Sequence, residues 1–150
     1  MKYRILIISI LFFVIISCNN NDDCTDTISN TTSLEIEYSC TNIEYQMDID
    51  YLSENHMIIR NQLDFAEFVS GSCQATIDFS VYDLVIGKKE FSSGISSIDY
   101  ELVENCETSN QNLLVTFNQN ILPEAPILTY HALIQKLGDE QELSVEIIIN

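Results

Sequence analysis

The chain is poor in positive charge: 6 Lys+Arg stand against 23 Asp+Glu in 150 residues, a formal net charge of −17. Phosphate backbones demand a basic face, so nucleic acid is excluded as a partner. Glycine is scarce as well. Gly71, Gly87, Gly94 and Gly138 are all there are, and they form neither a phosphate-cradling loop nor a GxSxG turn. No CxxC pair exists, and His56 and His131 show no HExxH or HxH spacing, so no zinc signature is present. Tryptophan is absent, and Pro123 and Pro126 fall together in one break. The longest apolar run, Ile5 to Ile16, has 12 residues, short of the ~20 that cross a bilayer. A hydrophobic content of 46% argues against disorder, and the length suits one domain.

What is present begins with an address. Met1-Lys2-Tyr3-Arg4 and the run ILIISILFFVII form the basic and apolar regions of a secretory signal. Ile15-Ile16-Ser17-Cys18 resembles the lipobox of bacterial lipoproteins, which implies cleavage after residue 17 and lipidation of Cys18. Several acyl chains anchor stably, each buried methylene adding ~0.8 kcal/mol. Asn19 at the next position and the Asp22-Asp23 pair resemble the sorting and export signals of surface lipoproteins, implying the outer membrane or cell surface of a Gram-negative bacterium. Asp26-Thr27-Ile28 and Asn30-Thr31-Thr32 resemble O- and N-glycosylation acceptors. Residues 18–33, rich in Asn, Asp, Ser and Thr, read as a flexible lipid-anchored linker, and residues 34–150 as a single β-rich domain. Without the signal, 4 basic residues face 23 acidic ones, a side-chain charge of −19. Anionic headgroups repel such a domain.

With Cys18 assigned to lipid, Cys24, Cys40, Cys73 and Cys106 remain, an even set in an exported chain. Two disulfides are expected, in any of three connectivities. The preferred one pairs Cys24 with Cys40, pinning the linker to the first strand, and Cys73 with Cys106. A metal site is disfavoured by the wide spacings, and a catalytic thiol at Cys73 by the lack of a histidine motif nearby.

Periodicity then indicates an α+β, mainly β fold: an antiparallel sheet or sandwich of about seven to eight strands with one short helix. Leu34–Tyr38 alternates apolar with acidic, as does Ile43–Tyr51, where Ile43, Tyr45, Met47, Ile49 and Tyr51 share one face. The two segments are expected to pair through Ser39–Asn42. His56–Arg60 reads as a buried strand. Asn61 is placed to cap a helix over residues 62–70 that buries Leu63, Phe65, Ala66 and Val69 and stops at Gly71. Thr76–Phe79 and Tyr82–Gly87 read as extended, with turns at Lys88–Glu90 and Ser92–Gly94. Ile98–Val103 and Leu113–Asn118 read as a hairpin, and Leu128–Leu137 and Leu143–Ile149 as the last strands.

From Met57 to Ile149, the order of elements, with Ile77-Asp78-Phe79-Ser80, the Ser92-Ser93-Gly94 turn and the late strand Thr129–Lys136, resembles the C-terminal domain of PrcB-like proteins. That family is named for a lipoprotein that binds and stabilises a partner protease. The resemblance implies an extracytoplasmic β-rich module that interacts with protein. It carries no catalytic residues, and Gly94 is followed by Ile95 where relatives have a second glycine.

No residue is therefore assigned a catalytic role, and nothing calls for a cofactor or metal. Glu44, Gln46, Asp48 and Asp50 share a strand face with the oxygen chemistry of a Ca²⁺ site, but such a stripe is ordinarily a solvated outer face. Six tyrosines (Tyr38, Tyr45, Tyr51, Tyr82, Tyr100 and Tyr130) are candidates for a binding surface, although Tyr45 and Tyr51 read as core. The expected function is a non-enzymatic, lipid-anchored binding module for a protein partner, a protease first. The alternative is a carbohydrate-active or hydrolytic accessory domain using surface carboxylates.

Overall fold

A computed structural model describes residues 24–40, 47–49, 56–124 and 126–150. In chain order the elements are β1 (Thr27–Ser29), α1 (Leu34–Tyr38), β2 (Asp48–Ile49), β3 (His56–Ile59), α2 (Gln62–Phe68), β4 (Val69–Ser70), β5 (Tyr82–Glu90), β6 (Ile95–Glu104), β7 (Gln111–Gln119), β8 (Ile127–Gln135) and β9 (Leu143–Ile149). The chain is mainly β, as its periodicity predicts. A four-stranded sheet has the order β1-β6-β7-β9, a three-stranded sheet β3-β5-β8, and β2 pairs with β4.

The three-stranded sheet is the middle layer. Val85, Tyr130, Ala132 and Ile134 pack from it against Ile98, Leu102, Leu113, Val115 and Phe117 of the four-stranded sheet. Its other face sends Ile59, Leu84, Ile86 and Leu133 to meet Leu34 of α1, Phe65 of α2, Met47 and Ile49. Burial on both faces explains why β5 and β8 read as continuous apolar runs, whereas β7 alternates Leu113, Val115 and Phe117 with half-buried residues. Strands β6 and β7 form the expected hairpin, in register from Leu102 opposite Leu113. One pairing is parallel: the chain leaves the outer sheet through β8, and β9 returns beside β7. Tyr130 lies across Gly87, where a Cβ would overlap its ring.

Several local expectations are corrected. Leu34–Tyr38 is a helix, not a strand. The Ser33 hydroxyl accepts from the Ile36 N–H at 3.3 Å, and Ser39 ends the turn in the left-handed region at φ 55°. Leu34 is buried and Ile36 exposed, a separation that strict alternation would forbid. Residues 24–33 are not a free linker. β1 pairs with β6, and Thr32 exchanges both main-chain hydrogen bonds with Leu133. Helix α2 has the expected Asn61 cap on Asp64 but buries only Phe65. Leu63 and Ala66 are exposed, and the chain passes directly into β4 before reaching Gly71. Residues 76–79 form no strand; the Gln62 side chain instead donates to Ala75 O and accepts from Ile77 N. Lys88–Glu90 is no turn but the end of β5. Of the long strand expected at Ile43–Tyr51, only Met47–Ile49 are described, with Met47 and Ile49 buried and Asp48 exposed, as alternation requires; the rest lies outside the described residues.

Candidate interaction surface

All four expected cysteines form disulfides, but the pairs are Cys24–Cys106 and Cys40–Cys73, not the preferred Cys24–Cys40 and Cys73–Cys106. The cause is the register of β1. Thr27 lies opposite Glu104, so continuing both strands brings Thr25 opposite Cys106 and Cys24 within one residue of it. Asp26 reinforces the junction, its carboxylate accepting from the Cys106 N–H at 3.1 Å. Cys18 lies outside the described residues. A cavity of about 320 Å³ adjoins Cys40–Cys73, lined by Tyr38, Ser39, Ser72, Gln74 and Ala75. Its lining offers the hydroxyls of Tyr38, Ser39 and Ser72 and the Gln74 amide beside the disulfide.

Most of the few cations are paired with carboxylates. Asp83 has a fully buried side chain. Its Oδ2 accepts from the Leu137 N–H at 3.1 Å and stands 3.5 Å from Arg60 Nε, while Lys136 Nζ lies 4.0 Å from Oδ1. The Lys136 ammonium also donates to Phe79 O at 2.7 Å. Lys88 pairs with Asp48. Three of the four cations among the described residues are thus paired with the carboxylates of Asp83 and Asp48. We expect Asp83→Ala to cost about 2–3 kcal/mol in urea unfolding, chiefly because the Leu137 N–H loses its acceptor in a dry site while the half-exposed cations rehydrate. Asp83→Asn keeps an acceptor and should cost less; an equal loss would show that charge, not the hydrogen bond, holds the corner.

The two histidines do not meet. His56 is in register with Gly87, and His131 with Ile86 of the next row, so they occupy opposite faces of the middle sheet. Burial lowers the His56 pKa below its ordinary value. His131 is buried, its ring Nε2 3.7 Å from a Glu35 carboxylate oxygen, while its main-chain N–H donates to the Tyr100 hydroxyl. Among the described residues, no group of three His, Cys, Asp or Glu is placed to hold a metal. The tyrosines do not form one surface: Tyr130 is core, its phenol pushed up to about 12 by burial, while Tyr38 packs with Tyr82 at the lower core and accepts from the Asp78 N–H. Tyr45, Tyr51 and Glu44, Gln46 and Asp50 of the polar strand face lie outside the described residues; its fourth member, Asp48, is the partner of Lys88.

Nine large apolar side chains are exposed among the described residues, and four of them share one end of the molecule. Ile121, Leu122, Ile127 and Ile149 all lie at the end of the sandwich where β7 and β9 finish and β8 begins. Their loop is braced by main-chain bonds from Gly94 N to Leu122 O, Asn120 N to Gly94 O and Phe91 N to Pro126 O. Sequence inspection sees only a proline break here. The available signal was that large aliphatic residues flank both prolines.

No family model, curated protein or solved structure matches the chain.

Proposed function

We propose that the chain is a lipid-anchored, extracytoplasmic β-rich module that binds a protein partner, without chemistry of its own. The observation that carries this reading is the disposition of charge. With Arg60, Lys88 and Lys136 engaged by Asp83 and Asp48, the outward surface is left predominantly acidic. Such a surface repels anionic lipid and nucleic acid and attracts basic protein surfaces over a Debye length. The two disulfides suit an oxidising compartment. Cys18 carries the lipid in this reading, and the resemblance of residues 57–149 to PrcB-like domains makes a protease the first partner to seek.

Two measurements on the full chain in a Gram-negative host test it. Cys18→Ala should abolish incorporation of labelled fatty acid and release the protein from membranes; retained label overturns the anchor. Lipidated protein extracted in mild detergent should carry a stoichiometric partner that dissociates as salt is raised. Recovery of the protein alone at low salt counts against a binding module.

A further inference from the structure

We propose that the end of the sandwich bearing Ile121, Leu122, Ile127 and Ile149 is the docking site, and that its occupant is a protein offering an apolar socket edged by Lys or Arg. This rests on the lipid-anchored reading above. The β6–β7 hairpin divides the molecule into two ends. At one, residues 105–110 connect the strands, and Cys24–Cys106 and β1 fasten the N-terminal segment there. Cys18 precedes Cys24 by six residues, a reach of at most about 22 Å even when fully extended. The hairpin end is therefore leashed to the membrane. The nine residues of β7 span about 30 Å and carry the opposite end outward.

Four of the nine large apolar side chains exposed among the described residues lie at that outward end. Ile121 is fully exposed, and Leu122, Ile127 and Ile149 are about half exposed (50%, 55% and 47%). The main-chain bonds that brace the loop hold these side chains ready, so little conformational entropy is lost on binding. The partner's chemistry follows from charge. Glu90 and Glu124 are exposed at this end, and the nearest cation, Lys89, is half-buried. A second copy of so acidic a chain would be repelled, as would an anionic membrane; a protein patch with basic edges is attracted.

The test uses the full lipidated chain in its producing cells, with a photo-crosslinking amino acid at Ile121 or Ile127. The control position is Leu63, which is 82% exposed on α2. Both end positions should give one protein adduct of the same mass, with little or none from Leu63. The charge reversal Glu90→Lys with Glu124→Lys, checked for unchanged melting, should weaken the adduct about tenfold. Adducts indifferent to this reversal, adducts with lipid, or adducts with a second copy would overturn the proposal. Adducts from Leu63 alone would overturn the site while leaving a binding module standing; no protein adduct from any position would overturn both. Orientation is read separately, by energy transfer from a donor at Ser109 or at Ile121 to acceptor-labelled phosphatidylcholine vesicles. Transfer should be several-fold stronger from Ser109, and equal or reversed transfer would overturn the outward placement.

Discussion

Replacing Cys24 and Cys106 together by serine is expected to lower unfolding stability by about 4–5 kcal/mol, the figure for a cross-link that closes so long a loop. The two residues are 82 positions apart, and the freed chain regains that loop's entropy when it unfolds. A single domain usually has only about 5–15 kcal/mol in hand, so the variant should be close to unfolding at physiological temperature. The folded state offers little to compensate. β1 is three residues long, and only Thr27, Ile28 and Ser29 pair with β6. The second disulfide spans 33 positions, and Cys40→Ser with Cys73→Ser should cost about 3–4 kcal/mol by the same relation. Urea titration of both double variants checks the order, and peptide mapping of the oxidised protein checks the pairs. Linkage of Cys24 to Cys40, or an inner pair costing more than the outer, would refute the nested arrangement.

How much of this was legible in advance depended on which physical signal each segment carried. Alternation in Leu113–Asn118 and the unbroken apolar runs in β5 and β8 report one-sided and two-sided burial, and these strands lie where periodicity puts them. Burial says nothing about hydrogen-bond partners. It could not show that β9 would return parallel to β7 rather than pair with β8, since alternation puts Val145 and Ile147 on one face whichever strand they pair with. Leu34–Tyr38 fails for want of length: five residues fit either period, and the Ser33 cap decided the outcome. The polar composition of residues 24–33 suggested a tether, but main-chain pairing with β6 and with Leu133 does not depend on apolar side chains. The disulfide pairs followed from that same hidden pairing. Asp83 is the clearest buried surprise, because a lone acid among apolar residues has no local mark of the Arg60, Lys136 and Leu137 groups that surround it.

Phe117→Ala is expected to be the most damaging single core substitution, at about 3–5 kcal/mol. Phe117 is fully buried on β7, at the junction of the outer and middle sheets. Its ring centroid lies 4.5 Å from that of Phe91 and 5.9 Å, edge-on, from that of Tyr130. Removing it takes away aromatic contacts on both sides and leaves a hole that neither neighbour fills readily. Phe91 is tied to Pro126 through its backbone, and Tyr130 already rests on the bare backbone of Gly87. Gly87→Ala attacks the same column from below. The added methyl must displace the Tyr130 ring, at a cost of about 1–3 kcal/mol. Because the two substitutions act through one column, their effects should not add: once Phe117 is gone, Tyr130 can shift into the vacated space and accept the methyl. Denaturant unfolding of the two single variants and the double variant measures the coupling. Strict additivity would show that the column is not a continuous packing unit, and a loss below 2 kcal/mol for Phe117→Ala would show that the two sheets are held together elsewhere.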